Sequence, residues 1–435
     1  MLLHHIHTFF QQHTRPPTVW VGLSGGADSV ALLHALTRYR HRQMCSGSLN
    51  LAAIHVHHGL NENADMWADF CANLCQQYAV PLTIERVQID ASDLGVEAAA
   101  RAARYRAFAK NIGSGSLILA HHADDQVETV LLAMLRGGGL RALAAMPETR
   151  VSGSLNVLRP FLNASRAEIE QYIQQHQLTH IHDTSNDCTD FLRNWVRHDL
   201  LPHIQNRVPD IRQHILGSIE VLQDELSVVN QVLAQDWQDC CHNGIVSRPA
   251  LLRLSAARQK AVLLKFCEIK KLGLPRKSSL NDFMAHLPDS AQHIWSLPQG
   301  AIWLYRQHLW AWHAQQQADY VAQTQNFSGS LNRAPQLTWQ AAPRGLAWAD
   351  LNRDAIVRPY RTSDTLITPL GRKSVVKLLQ DKKIPPPVRR HWLVVEMAGK
   401  CVAVANIAVC ESVAVANGWL PEWQLTLPFV SHRLD

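Results

Sequence analysis

Val19-Trp20-Val21-Gly22-Leu23-Ser24-Gly25-Gly26-Ala27-Asp28-Ser29-Val30-Ala31-Leu32-Leu33-His34-Ala35-Leu36 is the stretch that decides how this chain folds. Its apolar start reads as a buried strand, and Val30, Leu32, Leu33 and Leu36 then fall on one helical face. A strand, a tight glycine turn and a helix start gather unpaired backbone N–H groups and the positive end of a helix dipole at one point, which suits a phosphate. Gly25 and Gly26 let the backbone approach an anion without a Cβ in the way, and Ser24 and Ser29 add hydroxyl donors. The Asp28 carboxylate is no anion ligand by itself, so its expected task is to hold Mg²⁺ against the phosphates. No Gly-Lys-Ser/Thr follows, which excludes a Walker A loop. A plain turn between core elements is the bland alternative, and the six matched positions between strand and helix argue against it.

Outward from this turn, strand and helix patterns alternate. Strands are expected at Leu49–Val56, Pro81–Val87 and Leu117–Ala120, and helices around Trp67–Tyr78, at Gly95–Lys110 and at Ala123–Arg136. Such βαβα order implies α/β architecture, a Rossmann-like parallel sheet covered on both faces, with ligands beyond the carboxyl ends of the strands. The glycine turn, His55–His58 and Ala120–Asp125 all fall at such ends and are expected to converge. Residues 212–272 read as all-helical, Ala301–Trp312 as strand, 313–345 as a polar linker, and the stretch from Arg353 as a small mixed α/β domain. The expected division is 1–210, a phosphate-binding catalytic domain; 211–320, a mainly helical domain; and 350–435, a small basic domain.

Four further stretches carry chemistry. In His121-His122-Ala123-Asp124-Asp125-Gln126-Val127-Glu128, one aspartate is expected to cap the next helix, leaving the other and Glu128 for a metal or an amine. Carboxylates beside a phosphate loop make electrostatic sense with Mg²⁺ or an ammonium group between them. His55 and His57 share one strand face where doubly wound folds receive adenine or ribose; core histidines are the alternative. Arg101 and Arg104 share a helical face, where Glu97 pairs with Arg101 and Arg104 is placed to reach a phosphate. Arg193 and Arg197, four apart after the polar loop Asp183–Asp187, are two more phosphate candidates. Near the C-terminus, Arg358, Arg361, Arg372, Lys373, Lys377, Lys382, Lys383, Arg389 and Arg390 face only Asp364 and Asp381, which favours contact with a nucleic-acid backbone over a solvated face.

Composition sets the bounds. The 435 residues suffice for two or three domains, and 47% hydrophobic content fills real cores. No apolar run reaches the ~18–20 residues of a membrane helix, and Met1–Phe10 lacks a signal peptide's basic start, reading instead as an amphipathic helix. Nine scattered cysteines without Cys-x-x-Cys fit free thiols in a reducing cytoplasm, and Cys71 and Cys75 read as buried thiols rather than a metal pair. The net charge of +6 permits a polyanionic partner.

Ser-Gly-Gly-Ala-Asp-Ser at 24–29 resembles the PP-loop of the N-type ATP pyrophosphatases. With His-Val-His-His-Gly-Leu at 55–60, Glu-Ala-x-x-Arg…Arg-Tyr at 97–105, His-x-Asp-Asp-Gln-x-Glu-Thr at 122–129, Arg-Gly-Gly-Gly at 136–139, Ser-Asn…Arg-Asn-x-x-Arg at 185–197 and Gly-Arg-Lys-Ser…Lys-Leu-Leu…Ile-Pro-Pro…Arg at 371–389, nearly the whole chain resembles the tRNA(Ile)-lysidine synthetase family. Position 57 is His where many members carry Asp, and Val-Ala-Asn at 404–406 replaces their Val-Pro-Gly. The resemblance implies ATP and Mg²⁺ as cofactors, and L-lysine and an isoleucine tRNA with a CAU anticodon as partners. It implies adenylation of the wobble cytidine, attack by lysine, and release of pyrophosphate and AMP. It leaves room for a homodimer. Ser24, Gly25, Gly26, Ala27, Asp28, Ser29, His55 and His121 are the ATP contacts so implied. Asp28, Arg104, Asp125, Glu128, Arg193 and Arg197 are the catalytic set, and Arg358, Arg372, Lys373, Lys377 and Arg389 the tRNA contacts. A tRNA thiolase of the same fold is the near rival, opposed by the missing Cys-x-x-Cys; a non-catalytic tRNA-binding protein is opposed by the intact Asp28, Asp125 and Glu128.

Overall fold

Alternation along the first strand shows how the sheet is covered. In β1 (Thr18–Gly22), Val19 and Val21 are fully buried on one face and Trp20 packs on the other. The computed structural model describes residues 1–42, 49–59, 61–89, 96–183, 191–325, 329–330, 337–349, 355–382 and 384–423. Leu60, the Ser185-Asn186 loop, Lys383 and the Glu97 side chain lie outside the described residues.

The chain forms two compact units, Met1–Val229 and Asn230–Asp435. In the first, β2 (Asn50–His57), β3 (Leu82–Arg86), β4 (Ser116–Ile118), β5 (Thr149–Ser152) and β6 (Leu155–Leu158) join β1 in the order β3-β2-β1-β4-β6-β5. All neighbours are parallel except β5, which returns antiparallel beside β6; the 149–158 hairpin was not legible in the sequence. On one face α1 (Leu2–Gln12), α2 (Ala27–His41), α3 (Ala64–Gln77) and α7 (Arg166–Gln175) bury Leu2, Ile6, Phe9, Val30, Leu33, Leu36, Cys71, Leu74 and Ile169. On the other, α4 (Val96–Ile112) packs Phe108 and Ile112 against Leu117, Val157 and Trp20. Each fully buried Leu or Val contributes ~1.5–3 kcal/mol, so this two-sided core fixes the carboxyl edge on which the site stands. Cys71 and Cys75 are buried free thiols, pushed up to about 12 and about 11 by burial, and no metal-ligating cluster occurs among the described residues.

α5 (Ala123–Leu135) leads to the short α6 (Leu140–Leu143). Further on, α8 (Leu192–Trp195) continues through a π-helical turn, Val196–Leu200, into α9 (Leu201–Gln205). Val196 and Leu201 pack on Val127 and Leu131, locking this rod against α5.

The expected all-helical run is corrected. α10 (Ile211–Cys240) ends in a hairpin, β7 (Cys241–His242) and β8 (Ile245–Ser247), turned by Asn243 and Gly244 with positive φ. α11 (Arg248–Leu252), α12 (Ala256–Ile269) and α13 (Lys277–His286) follow, and β9 (Gln292–Leu297), β10 (Gly300–Tyr305) and β11 (His308–His313) complete the five-stranded sheet β7-β8-β11-β10-β9. Ala301–Trp312 is therefore two strands around a turn at Arg306-Gln307. The expected linker instead holds α14 (Ala314–Gln325) and a strand, Leu337–Gly345. Tyr320 of α14 is buried, donates to the Val388 carbonyl at 2.6 Å and shares one core with Trp312, Leu379 and Trp392. Asn406, standing where glycine is common, adopts φ 59° and bonds both the N–H and the carbonyl of Trp423.

Candidate active site

The turn after β1 is built as a cradle. Gly25 has φ +87°, and a Cβ there collides with Ile181 and crowds Cys71, so only glycine fits. Gly25 O accepts from Ile181 N at 2.9 Å, pinning the turn from behind. Gly26 is the N-cap of α2 and carries no side-chain oxygen, so the first-turn amides of Ala27, Asp28 and Ser29 have no cap in their way. Two other loop amides are already engaged. Ser24 N donates to Ser29 Oγ at 3.2 Å, and Gly26 N donates to Ser24 Oγ at 3.3 Å. The Ser29 hydroxyl donates in turn to Gly26 O at 3.0 Å. The serines thus hold the turn open, and the start of α2 is left to meet the anion.

β2 and β4 flank β1 and bring their ends to this point. His55 Nδ1 lies 2.9 Å from Leu23 O, with a pKa drawn down by burial, and behind it Cys71 Sγ lies 3.5 Å away. His57 turns away to Asp65 and Arg86. His58 is pulled down to about 4 by burial and by the positive charge of Arg104 on α4. Arg104 is exposed, and its pKa is lowered by desolvation and by repulsion from Arg101 and Arg193. His121 is neutral, pushed down to about 4 chiefly by burial.

One aspartate does cap α5, as expected, but the other is not left free. His122, 1% exposed, is the N-cap of α5, and Asp125 three residues on accepts its backbone N–H at 3.0 Å. Asp124 accepts Arg166 N at 3.0 Å and pairs with Arg212 of α10. Neither aspartate is spare. His122 is the hub that sequence reasoning missed: Nε2 lies 3.9 Å from Asp28 and 3.6 Å from Asp125, and Nδ1 3.8 Å from Asp124. Its signal in the sequence was its place at the head of the His-x-Asp-Asp-Gln-x-Glu-Thr motif at 122–129, not any periodicity.

Asp125, Glu128, Arg193 and Arg197 are brought together, but onto one another. Arg193 donates from Nε to Glu128 at 2.9 Å and from Nη2 to Asp125 at 2.9 Å. Arg197 donates to both oxygens of Glu128, at 2.5 and 3.1 Å. The expectation that the carboxylates stand open for an amine while the arginines wait for phosphate therefore changes: two acids and two guanidiniums neutralise each other. The π turn widens the rod at Val196–Leu200, a device common at functional sites. Burial opposes the Asp125 charge, but His122 and Arg193 hold its carboxyl below the usual range. Burial raises the Asp28 carboxyl, which is a third exposed. Both arginines are nearly a third exposed, whereas Glu128 is 2% exposed. The guanidiniums are the part of the tetrad a ligand meets first.

The basic stretch divides. Arg358 is corrected as a tRNA contact: it is buried, donates to both oxygens of Asp364 at 2.7 and 2.8 Å, and binds Glu396 at 2.5 Å. Arg389 is likewise turned inward, to Ile384 O and the Tyr305 hydroxyl at 2.6 Å each, with its guanidinium over the Tyr305 ring. Arg372 and Lys377 are exposed. Lys373 lies on the strand Gly371–Ser374 rather than on the helix Val375–Asp381, yet both lysines reach Asp381, at 3.6 and 3.2 Å.

Comparisons with known proteins agree with this geometry. The PP-loop domain family matches residues 2–204, and the TilS substrate C-terminal domain family matches 356–423. The tRNA(Ile)-lysidine synthase of Neisseria gonorrhoeae is 37% identical over 410 residues, covering 92% of this chain and 90% of that one. Its namesake in Neisseria meningitidis serogroup B is 37% identical over 409 residues, covering 92% and 94%. That of Chromobacterium violaceum is 36% identical over 419 residues, covering 94% and 95%.

Proposed function

The chain belongs to the tRNA(Ile)-lysidine synthase family, ATP-using ligases of the PP-loop class, and we propose that it joins free lysine to C2 of the wobble cytidine of an isoleucine tRNA with a CAU anticodon. In the first step the cytidine O2 attacks the α-phosphorus of ATP, and the bond to pyrophosphate breaks. In the second, the lysine ε-amine attacks C2, the C2–O bond breaks, AMP leaves, and the amine gives up a proton. Residues 1–210 carry the chemistry, and 211–320 with 350–435 hold the tRNA.

The residues divide the work by charge. The amides of Ala27, Asp28 and Ser29, with the Ser24 hydroxyl, receive the β,γ-phosphates, while the Ser29 hydroxyl holds the turn through Gly26 O. His55 and His121, both neutral, line the nucleotide side. Magnesium commonly uses one or two carboxylates plus phosphate oxygens, and the partly exposed Asp28 carboxylate fits that demand. Held by Asp28, such an ion would supply positive charge against the leaving pyrophosphate. Arg104, Arg193 and Arg197 meet the α-phosphoryl charge. As the arginines take the phosphoryl oxygens, Asp125 and Glu128 are left for the lysine ammonium and help it lose a proton, because only the neutral amine is nucleophilic.

One observation carries this reading above the others: the self-neutralising Asp125–Glu128–Arg193–Arg197 tetrad beside an open α2 start. It offers cations to one substrate and anions to the other within one site. The test is ATP–pyrophosphate exchange without lysine. Exchange that requires the tRNA, and that falls ~10²-fold or more in Asp28→Ala, supports adenylation of the RNA. Exchange without RNA contradicts it. The absence of Cys-x-x-Cys continues to disfavour thiolation.

A further inference from the structure

The rod formed by α8, the π turn and α9 has a second face that the chemistry above leaves unused. Its inner face is fixed by Arg193 and Arg197 on the carboxylates and by Val196 and Leu201 on α5. Two residues from an inward position lies ~200° round a helix, so residues 191 and 195 point outward. Both are aromatic: Phe191 is 44% exposed and Trp195 37% exposed, with Leu192 exposed beside them. Phe191 is the N-cap of α8 and its carbonyl accepts from Trp195 N at 3.0 Å, which sets the two residues one turn apart.

Resting on the proposed reaction, we propose that Phe191 and Trp195 form a stacking ledge for an unpaired anticodon-loop base adjacent to the wobble cytidine. Three observations select this occupant. The ledge is continuous with the site, because its residues alternate with the arginines of the tetrad along one rod. The surroundings are basic: 191–207 carries Arg193, Arg197, Arg207 and the exposed His198 and His203 against Asp199 alone. The chemistry itself demands such a partner, because a base presented to a phosphoryl site must leave the loop stack, and its neighbours then lose a stacking surface. Flat aromatic faces replace that surface for any base, whereas backbone phosphates follow the cations.

The experiment uses the full chain and an isoleucine tRNA carrying 2-aminopurine immediately 3′ of the wobble position. Binding to the wild-type protein quenches the probe. Trp195→Ala is expected to abolish most of the quenching and to raise the KM for tRNA about tenfold or more, with the KM for ATP unchanged. Trp195→Phe restores both, which a merely structural role for the indole does not predict. Phe191→Ala is the second variant should Trp195→Ala fail to fold, and is expected to act in the same direction. Unaltered quenching and tRNA KM in the alanine variants overturn the ledge. So does a change of sedimentation with RNA affinity intact, since the face then belongs to a contact between copies. If wild-type protein quenches the probe but makes no lysidine, the reaction fails while the ledge stands. Lysidine formed equally well by Trp195→Ala fails the ledge alone.

Discussion

Two ion-pair networks among the described residues use the same residue types to opposite ends. Around Glu128, two guanidiniums lie nearly a third exposed over buried carboxylates. Around Arg358, one guanidinium is itself buried between Asp364 and Glu396. The difference is which sign faces solvent. A network that shows its cations can trade them for a phosphate, whereas one that encloses its cation on both sides only braces the strands it joins. Arg358 sits on Ile356–Pro359 and Glu396 on the adjoining Leu393–Met397, so the pair ties neighbouring strands of one sheet.

Substitutions set the two apart. The largest effect is expected at Arg358→Ala, which leaves the buried Asp364 and Glu396 carboxylates with only the exposed Arg361, 3.8 Å from Glu396, and costs about 3–5 kcal/mol of stability. Denaturant titration measures it, and activity per folded molecule should stay near that of wild type. Glu128→Gln should invert this pattern, with turnover down about 10²-fold and little change in ATP affinity. Steady-state kinetics with tRNA and lysine varied separately check it, and a loss confined to stability would place Glu128 with the braces.

Next in size, Lys373→Glu combined with Lys377→Glu should weaken tRNA binding without altering ATP affinity. If about five phosphates are contacted, the wild-type log–log salt slope is on the order of −4, and the double variant should flatten it. A filter-binding series over salt decides this.

The smallest effect is in acid. His34, beside Tyr172 and far along α2 from the turn, is drawn down to about 4 by burial first, then by His176 and Arg38. Unfolded, it takes up a proton near 6.5; folded, it does so only near 4. The unfolded chain therefore binds more protons in between, and the stability His34 contributes is lost as pH falls from 6.5 towards 4. Burial opposes the Asp364 charge, yet Arg358 and the Arg361 amide hold that carboxyl low, so its contribution persists to lower pH. Hydrogen exchange should show the first unit loosening before the second, and His34→Gln should narrow the gap.

Most of the first unit was legible because its signals are local. Val19 and Val21 alternate with Trp20, Gly25 and Gly26 interrupt, and Ala27–His41 resumes at helical period. The site's components were legible for the same reason, as residues at strand ends. Their pairing was not. Arg193 meets Glu128 across 65 positions, and no local pattern distinguishes an arginine awaiting phosphate from one already seated on a carboxylate. Arg358 misled in the same way: its acids, at 364 and 396, neutralise it only once the strands pair. The short β7–β8 hairpin escaped because two- and three-residue strands have too few positions to show alternation against a strong helical background.

Mass analysis of the wobble nucleoside, after incubating the protein with the CAU isoleucine tRNA, ATP and labelled lysine, tests the central claim most directly. The account predicts a cytidine carrying the lysine label in wild type and its loss in Glu128→Gln. An unmodified cytidine, from protein that binds both tRNA and ATP, would contradict it.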